Sequence, residues 1–172
     1  MSDKTNSKPP FSEDIDSSIN IKKGGSGEEP SAPRPAATVL LVRAPLNEVE
    51  VFMIQRNAKT NFGNAWVFPG GKLDEVDGID EANDYCFGLS DEMASQILGL
   101  KKGGLNYWVA CIRECFEECG VLLAYRENGD LLDDPSKDEM TILDRYRDLL
   151  NQGEPVLYQL CKEMNLKLAV DR

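Results

Sequence analysis

The sequence predicts an α/β fold, because strand-like runs come first along the chain and helix-like segments follow. Two runs rich in β-branched and apolar residues, "ATVLLVRAP" and "VEVFMIQR", are joined by the short connection "LNE". Such a pair is typical of two strands in a hairpin. Farther along, "ACIRECFEECGVLL" and "DEMTILDRYRDLL" carry apolar residues at helical spacing.

Composition divides the chain into a tail and one domain. Residues 1–35 are rich in Ser, Lys, Asp, Glu, Gly and Pro, and such a segment cannot bury enough apolar surface to order itself. We expect a disordered N-terminal tail there and a single domain over residues 36–172, a length that allows a sizeable core. After the hairpin, "AWVFPGGKLD" predicts a strand that leaves through a loop, because Gly70 and Gly71 permit a tight turn and a close backbone approach.

The rest of the domain is predicted to be mainly helical. Residues 78–105 are acidic and predict an insertion or lid, with a helical "MASQIL" and Asp91 as its N-cap. A long helix should run from about Asn106 to Ala124. Ser136 is placed to begin another helix, "EPVLYQLCKEMN" predicts a short one, and "LKLAV" predicts a final strand.

The charge and the apolar patterning argue against two classes of partner. The chain carries 30 acidic and 19 basic side chains, a formal net charge of −11, which disfavours binding to nucleic acid or to an anionic membrane. No run approaches 18 apolar residues, and the N-terminus lacks the apolar centre of a secretory signal. Five cysteines without the spacing of a secreted disulfide framework agree with a reducing compartment. We therefore expect an intracellular protein.

Three glutamates crowd one face of the long predicted helix. At about 100 degrees per residue its apolar residues fall on one side, whereas Glu114, Glu117 and Glu118 lie together on the other. Like charges three and four positions apart destabilise a helix by roughly 0.2–0.5 kcal/mol per pair, so a positive partner must compensate. Mg²⁺ and Mn²⁺ prefer the oxygen ligands that such a helix presents. A solvated acidic face is the alternative interpretation.

The residues around these glutamates resemble the signature of the Nudix hydrolases: Gly, five residues, Glu, seven residues, then Arg-Glu-apolar-x-Glu-Glu-x-Gly-apolar. Its second half is matched by "RECFEECGV", residues 113–121, at every fixed position. In the first half, Gly71 is followed at the expected interval by Asp77 instead of Glu. Between Asp77 and Arg113 stand 35 residues where the family has seven, an insertion of 28. A long insertion in a loop costs little closure entropy, so both halves remain compatible with one site.

The order of these pieces is most similar to the acyl-coenzyme A diphosphatases of peroxisomal Nudix type. The resemblance covers roughly residues 38–170, and it implies an α/β/α sandwich with a mixed sheet. It also implies hydrolysis of the pyrophosphate of coenzyme A or acyl-coenzyme A to a 4′-phosphopantetheine product and adenosine 3′,5′-bisphosphate. A peroxisomal or mitochondrial location would follow, although the C-terminal "AVDR" is not a peroxisomal address of the Ser-Lys-Leu type.

The resemblance and the chemistry of a pyrophosphate together assign roles to the glutamate helix. Two anionic phosphates repel an attacking water, so a metal ion must neutralise them and activate or orient that water. Glu114 and Glu118 are the first choices as metal ligands, and Glu117 would complete the shell or act as general base. By resemblance Arg113 would orient these carboxylates through a salt bridge, and Asp77 would be a peripheral acidic partner.

Gly70, Gly71 and Arg56 are the candidates on the substrate side. The glycines would let backbone groups approach the site, and Arg56 belongs to the Arg-containing pattern that coenzyme A-directed members carry upstream of Phe-Pro-Gly-Gly. The expected partner is a small molecule, a coenzyme A ester or another nucleoside-diphosphate-linked compound. No motif specifies an oligomeric state.

The aromatic and sulfur-containing side chains have simpler explanations. Trp66 and Trp108 are expected in the core, with stacking on an adenine as the alternative. Cys111, Cys115 and Cys119 recur at helical spacing. We expect them to be small core residues and not thiolate metal ligands.

Two alternatives to the enzyme remain open. A Nudix sheet usually draws further strands from beyond the helix region, and only "LKLAV" follows the last predicted helix here. We therefore expect an incomplete sheet with exposed edges and a C-terminally truncated chain, which could be a non-catalytic Nudix form that binds metal, substrate or a partner. The other alternative is an acidic cation-binding module with a fortuitous motif match, which requires Gly71 to lie far from Glu118.

Overall fold

The computed structural model describes residues 34–45, 48–58, 63–78 and 82–172, so the predicted disordered tail lies almost entirely outside the described residues. The strands are β1 (Ala36–Thr38), β2 (Val42–Arg43), β3 (Glu50–Val51), β4 (Ile54–Gln55), β5 (Trp66–Val67), β6 (Gly70–Lys72), β7 (Cys86–Phe87), β8 (Ala124–Tyr125) and β9 (Lys167–Ala169). The helices are α1 (Ala82–Tyr85), α2 (Asp91–Leu98), α3 (Leu105–Cys119), α4 (Lys137–Asn151) and α5 (Leu157–Glu163), and a 3-10 turn spans Glu75–Gly78. Within these ranges no helix has the length and apolar character needed to cross a membrane.

The strands pair in small sheets. β1 pairs antiparallel with β6, β2 with β3, and β4 with β5. β9 lies between β7, to which it is parallel, and β8, to which it is antiparallel, so this sheet is mixed. The predicted hairpin is confirmed by the pairing of β2 with β3, and the predicted final strand is confirmed as β9. Helices packed with parallel and antiparallel strands confirm the predicted α/β class.

Helix α3 is central to the packing of the domain. It contacts β1, β6, α2 and α4, and its apolar side chains Val109, Ile112 and Phe116 are at most 3% exposed. Burying a side chain of this size contributes about 1.5–3 kcal/mol. The core continues through α4, α5 and β9, with Leu143, Tyr146, Leu150, Leu157, Leu160, Leu168 and Val170. The apolar stripe of α3 therefore holds the glutamate face in a fixed orientation.

Helix α3 ends at Cys119 and not near Ala124 as predicted. Gly120 has a left-handed conformation with φ 74°, and its N–H donates to the carbonyl of Phe116. A glycine in this conformation terminates helices because it has no Cβ to strain the backbone. The chain that follows is free to extend, and Ala124 pairs with Leu168 in the mixed sheet.

The described part of the predicted insertion or lid, residues 78 and 82–105, contributes side chains to the packed domain. Ala82 of α1 and Ala94 of α2 are no more than 4% exposed, and β7 pairs with β9. Leu105 is also buried, whereas Phe87, Met93 and Ile97 are more than half exposed. The insertion therefore supplies part of the core.

The N-terminus of α2 differs by one residue from the prediction. Ser90 is the N-cap, and its hydroxyl accepts a hydrogen bond from the N–H of Met93 at 3.3 Å. The carboxylate of Asp91 instead accepts from the N–H groups of Gly103 and Leu105, each at 3.0 Å. Because the first N–H groups of a helix have no partner within it, Asp91 stabilises the start of α3.

Helix α4 begins where the sequence predicts. Ser136 and Glu139 form a capping box, in which each side chain accepts a hydrogen bond from the other residue's N–H, an arrangement that contributes about 1 kcal/mol. Leu143, Tyr146 and Leu150 are buried at helical spacing. The predicted short helix after it is confirmed as α5.

Trp66 lies on an open face, so its predicted place in the core is wrong. Its side chain is 62% exposed, and Val42 and Val51 on the neighbouring hairpin are 58% and 43% exposed. Together they line an open groove of about 690 Å³. Trp108, by contrast, packs against the core as predicted. Within the described residues β5 pairs with β4 in a two-stranded sheet, and no other element covers the face on which Trp66 lies.

Candidate active site on helix α3

The glutamates predicted to act together do lie on one side of α3, next to strand β6, which contains Gly70 and Gly71 where the sequence predicted a loop. The side chains of Glu114 and Glu117 are 16% and 18% exposed. Glu118 is exposed, and its Oε2 accepts a hydrogen bond from the N–H of Gly70 at 3.0 Å. Gly70 is 48 residues away from Glu118 along the chain, so the fold brings the glycines of β6 and the last turn of α3 together.

Arg113 is the positive partner that the crowded glutamates require. Its Nη1 donates to Oε1 of Glu114 at 3.0 Å and to Oε1 of Glu117 at 3.1 Å. Its Nε and Nη2 bind the two carboxylate oxygens of Asp77 at 2.7 and 3.0 Å. Nη2 also donates to the carbonyl of Lys72 at 3.0 Å. A guanidinium has five N–H donors, and here each of them has a partner.

Asp77 is not the peripheral residue that we expected. It is 1% exposed, and besides Arg113 its carboxylate accepts from the N–H of Asp74 at 2.7 Å. Bidentate arginine–carboxylate pairs are the strongest and most directional ion pairs in proteins. Asp77 therefore fixes the orientation of the guanidinium, and the guanidinium in turn fixes the carboxylates of Glu114 and Glu117.

Gly71 is the second glycine that the site requires. A Cβ placed on it would lie 2.3 Å from the carboxylate carbon of Glu114. A Cβ on Gly70 would lie 2.4 Å from the carbonyl oxygen of Ala37 on the paired strand. The sequence predicted that these glycines allow backbone approach, and in the structure the backbone approaches the glutamates themselves.

Burial and neighbouring charges shift the proton affinities in the cluster. Burial raises the pKa of Glu117, against the charge and hydrogen bond of Arg113. Burial also raises the pKa of Glu118, opposed by the N–H of Gly70 and by the positive charge of Arg56. Burial alone would lower the pKa of Arg113, but the hydrogen bond and charge of Asp77 outweigh it and raise that pKa.

The comparisons with known proteins agree with this geometry. The family model described as NUDIX domain matches residues 32–158, more than half of the chain. The chain belongs to the Nudix family. It is also 27% identical over 144 residues to a protein named acyl-coenzyme A diphosphatase NUDT19 of Xenopus laevis. That match covers 69% of this chain but 38% of the relative, so the chain spans well under half of the relative's length. No solved structure matches.

The Nudix family generally uses divalent metal ions, and the carboxylates here are donors of the type that such ions prefer. Glu114, Glu117 and Glu118 each have one carboxylate oxygen in a described hydrogen bond and one without, and carboxylate oxygens are the ligands that Mg²⁺ and Mn²⁺ prefer. Across the part of the chain that the structure describes, no group of three or more His, Cys, Asp or Glu side chains is arranged to hold a metal ion. The roles of these glutamates as ligands stay a prediction.

The short distance between the glycines of β6 and the glutamates argues against the alternative of a fortuitous motif match. That alternative required Gly71 to lie far from the carboxylates, yet Gly71 abuts Glu114 and its neighbour Gly70 binds Glu118. The two halves of the signature therefore form one structure despite the insertion between them. Arg56 is exposed, and its charge acts on Glu118, which places it on the same side of the domain.

Two residues near the site escaped the sequence analysis. Arg147 of α4 donates to the carbonyls of Glu117 and Glu118, and the hydroxyl of Tyr158 on α5 donates to the carbonyl of Asp77 at 3.2 Å. An arginine at helical spacing from Leu143 and Leu150, on the core face of α4, was the available signal for the first. For Tyr158 the sequence contains no such signal, because a tyrosine on the apolar face of a helix is predicted to be a core residue.

Proposed function

We propose that this chain is a divalent-metal-dependent Nudix hydrolase that cuts the pyrophosphate bond of coenzyme A or acyl-coenzyme A. The products would be a 4′-phosphopantetheine compound and adenosine 3′,5′-bisphosphate. The observation that carries the proposal is the cluster in which buried Arg113 binds Asp77, Glu114 and Glu117 while Gly70 binds Glu118. Pyrophosphate hydrolysis is the activity class that the family and the named relative support.

The proposed metal would be Mg²⁺ or Mn²⁺, held by Glu114, Glu118 and Glu117. Such an ion supplies neutralisation of the phosphates and polarisation of the attacking water. The contacts of the carboxylates with Arg113 and Gly70 hold them in fixed positions, which supports this assignment. Pre-positioning matters because charge developing on the phosphates is stabilised best by groups that need not reorganise.

The protein's own residues would share the remaining tasks. Glu117 would either complete the metal's ligand shell or act as the general base that accepts a proton from the attacking water. Arg113 would be a positioning residue, because all of its donors already serve the protein. Arg56, exposed and on the same side as Glu118, would bind a phosphate of the substrate through its guanidinium.

The choice of substrate rests on the relative. Acyl-coenzyme A diphosphatase is that protein's printed name, and the loop-insert-helix order of this chain is similar to that type. A negatively charged protein, with net charge −11, repels a polyphosphate substrate at long range, so local charges such as Arg56 and the bound cation must supply the attraction. The predicted intracellular location agrees with a coenzyme A substrate and remains a proposal.

The test is hydrolysis of coenzyme A by the purified chain with Mg²⁺ or Mn²⁺, with products resolved by mass. We expect adenosine 3′,5′-bisphosphate to appear, EDTA to prevent it, and Glu117→Gln and Glu118→Gln to lower kcat by about 10²–10⁴-fold. Glu127→Gln is the control, since Glu127 is an exposed glutamate outside the site.

Other outcomes separate the alternatives. Turnover of ADP-ribose or a dinucleotide but not of coenzyme A would keep the hydrolase and overturn its substrate. A folded chain that binds Mn²⁺ yet hydrolyses none of these would overturn the enzyme in favour of the non-catalytic Nudix form. Equal activity in all three glutamine variants would remove the glutamate cluster from the mechanism.

A further inference from the structure

Arg147 makes a contact with the C-terminal turn of α3 that lies outside the Nudix signature. From α4 its Nε donates to the carbonyl of Glu117 at 3.0 Å and its Nη2 donates to the carbonyl of Glu118 at 3.1 Å. The two helices are about 30 residues apart along the chain at this point. Arg147 is half-buried and lies between Leu143 and Leu150, whose side chains are in the core.

These carbonyls need a partner from outside α3. The last four carbonyls of a helix have no N–H within the helix to bind, and Glu117 and Glu118 precede the final residue Cys119. A cation at the C-terminus also interacts favourably with the helix dipole. Arg147 meets both requirements, because its planar guanidinium can donate to two neighbouring carbonyls at once.

Gly120 leaves room for the guanidinium. A Cβ on Gly120 would lie 3.2 Å from Nη1 of Arg147, closer than the guanidinium could comfortably accept. An alanine there would therefore require the guanidinium to shift by a few tenths of an ångström. The same small residue serves the backbone turn and the approach of α4.

The residues whose carbonyls Arg147 holds are the residues whose carboxylates form the site. Glu117 extends toward Arg113, and Glu118 extends toward the N–H of Gly70. Fraying of this turn would rotate both side chains away from those partners. Helix ends fray readily, so the geometry of the site depends on what stabilises this end.

We propose that Arg147 is a positioning residue: by binding the carbonyls of Glu117 and Glu118 it holds the last turn of α3 in the register that metal binding and hydrolysis need. This inference rests on the proposed function. Arg147 touches neither substrate nor metal in the proposal, and it acts through the backbone of the two glutamates.

The test compares Arg147→Gln and Arg147→Lys with Arg145→Gln. Arg145 is the matched control, because it also lies on α4 and carries a surface ion pair with Glu163 at 2.7 Å but does not contact α3 through a described hydrogen bond. The lysine variant keeps the charge but donates from one nitrogen, and it is the milder change if the glutamine variant folds poorly.

The first readout is hydrogen exchange of the amides at residues 118–120, which needs neither metal nor substrate. We expect exchange about tenfold faster in Arg147→Gln, with amides in the first turns of α3 unchanged, because loss of a cap costs a helix end about a factor of ten in stability. The second readout is Mn²⁺ affinity by calorimetry, which we expect to fall about tenfold, the usual cost of removing an outer partner of a ligand.

Each result decides between roles. Faster exchange and weaker Mn²⁺ binding in both Arg147 variants, with neither in Arg145→Gln, would establish the positioning role. Faster exchange with unchanged Mn²⁺ affinity would overturn it and leave a structural cap, and full recovery by lysine would overturn the role of the two-carbonyl contact. A wild-type chain that binds no Mn²⁺ would overturn the proposed function and this inference with it, whereas the other failures concern Arg147 alone.

Discussion

Arg113 and Asp77 are 36 residues apart along the chain, yet they form a buried bidentate ion pair, with Nε to Oδ1 at 2.7 Å and Nη2 to Oδ2 at 3.0 Å. Both residues are nearly inaccessible, at 6% and 1% exposure. The pair joins the turn after β6 to α3 and spans the whole insertion. The pair therefore fixes the glycines of β6 next to the glutamates of α3.

Replacing Asp77 with asparagine should destabilise the fold. Asparagine keeps the shape of aspartate but removes its charge, and breaking a buried ion pair leaves an uncompensated partner at a cost of about 3 kcal/mol. Urea unfolding monitored by tryptophan fluorescence measures the free energy of unfolding. Asp133→Asn is the control, since Asp133 is exposed and lies outside this cluster, and it should change that free energy by less than about 0.5 kcal/mol. Equal effects of the two substitutions would contradict the structural importance of the pair.

Alanine at Gly71 should impair metal binding more than stability. Its Cβ would displace the carboxylate of Glu114, the far end of a flexible side chain, and the free energy of unfolding should fall by about 1 kcal/mol because the hydrogen bond from Arg113 is lost. The affinity for Mn²⁺ should also fall about tenfold, since Glu114 would lose its position beside Arg113.

Gly70 offers the opposite case. Its Cβ would meet the backbone carbonyl of Ala37, which cannot move without disturbing the pairing of β1 with β6, so Gly70→Ala should cost about 1–3 kcal/mol of stability. Measuring unfolding and Mn²⁺ binding for both alanine variants separates the two effects. Wild-type Mn²⁺ affinity in Gly71→Ala would show that Glu114 is not a ligand.

Phenylalanine at Tyr158 should destabilise the site from the side of α5. The substitution keeps the ring, which packs against Tyr85 with centroids 5.5 Å apart, but removes the hydroxyl that donates to the carbonyl of Asp77. A buried acceptor without its donor costs about 1–2 kcal/mol. Tyr107→Phe is a suitable comparison, because the hydroxyl of Tyr107 makes no hydrogen bond within the described residues. Similar unfolding free energies for both variants would argue against the Tyr158 contact.

The ion pair and the hydrogen bond that Glu163 of α5 forms with α4 should make stability depend on pH. The hydroxyl of Tyr146, at 2.6 Å, and then Arg145, at 2.7 Å, lower the pKa of Glu163 below its ordinary value of 4.5. Because the pKa is lower in the folded chain, the stabilisation is complete above the unfolded pKa of 4.5 and is lost as the pH falls through the folded pKa.

A glutamine variant tests this dependence. Glu163→Gln should be less stable than the wild type near neutral pH, and the two should converge as the pH falls through the folded pKa of Glu163. Glu154→Gln is the control, since the carboxylate of Glu154 makes no hydrogen bond or ion pair in the described part of the chain. A difference between Glu163→Gln and wild type that stays constant with pH would contradict the assigned pKa direction.

Local patterns predicted much of the fold because helix caps and hairpins depend on interactions between residues that are close in the sequence. Ser136 and Glu139 form the capping box where α4 begins, and the hairpin of β2 and β3 follows the β-branched runs. The end of α3 was placed too far along because "VLL" continues the helical pattern, whereas Gly120 adopts a left-handed conformation that ends it. Trp66 was misplaced because exposure depends on which strands cover a residue, and a single strand's pattern does not contain that information.

The sequence by itself determined the family and the glutamate face of α3, because these depend on residue type at short spacing. Only the tertiary structure decided that Asp77 is buried against Arg113, that Gly70 binds Glu118 and that Arg147 holds the end of α3. Those contacts join residues between 29 and 48 positions apart. Their formation depends on how helices and strands pack in three dimensions, since the hydrogen bonds of a buried guanidinium form only where the core brings their acceptors together.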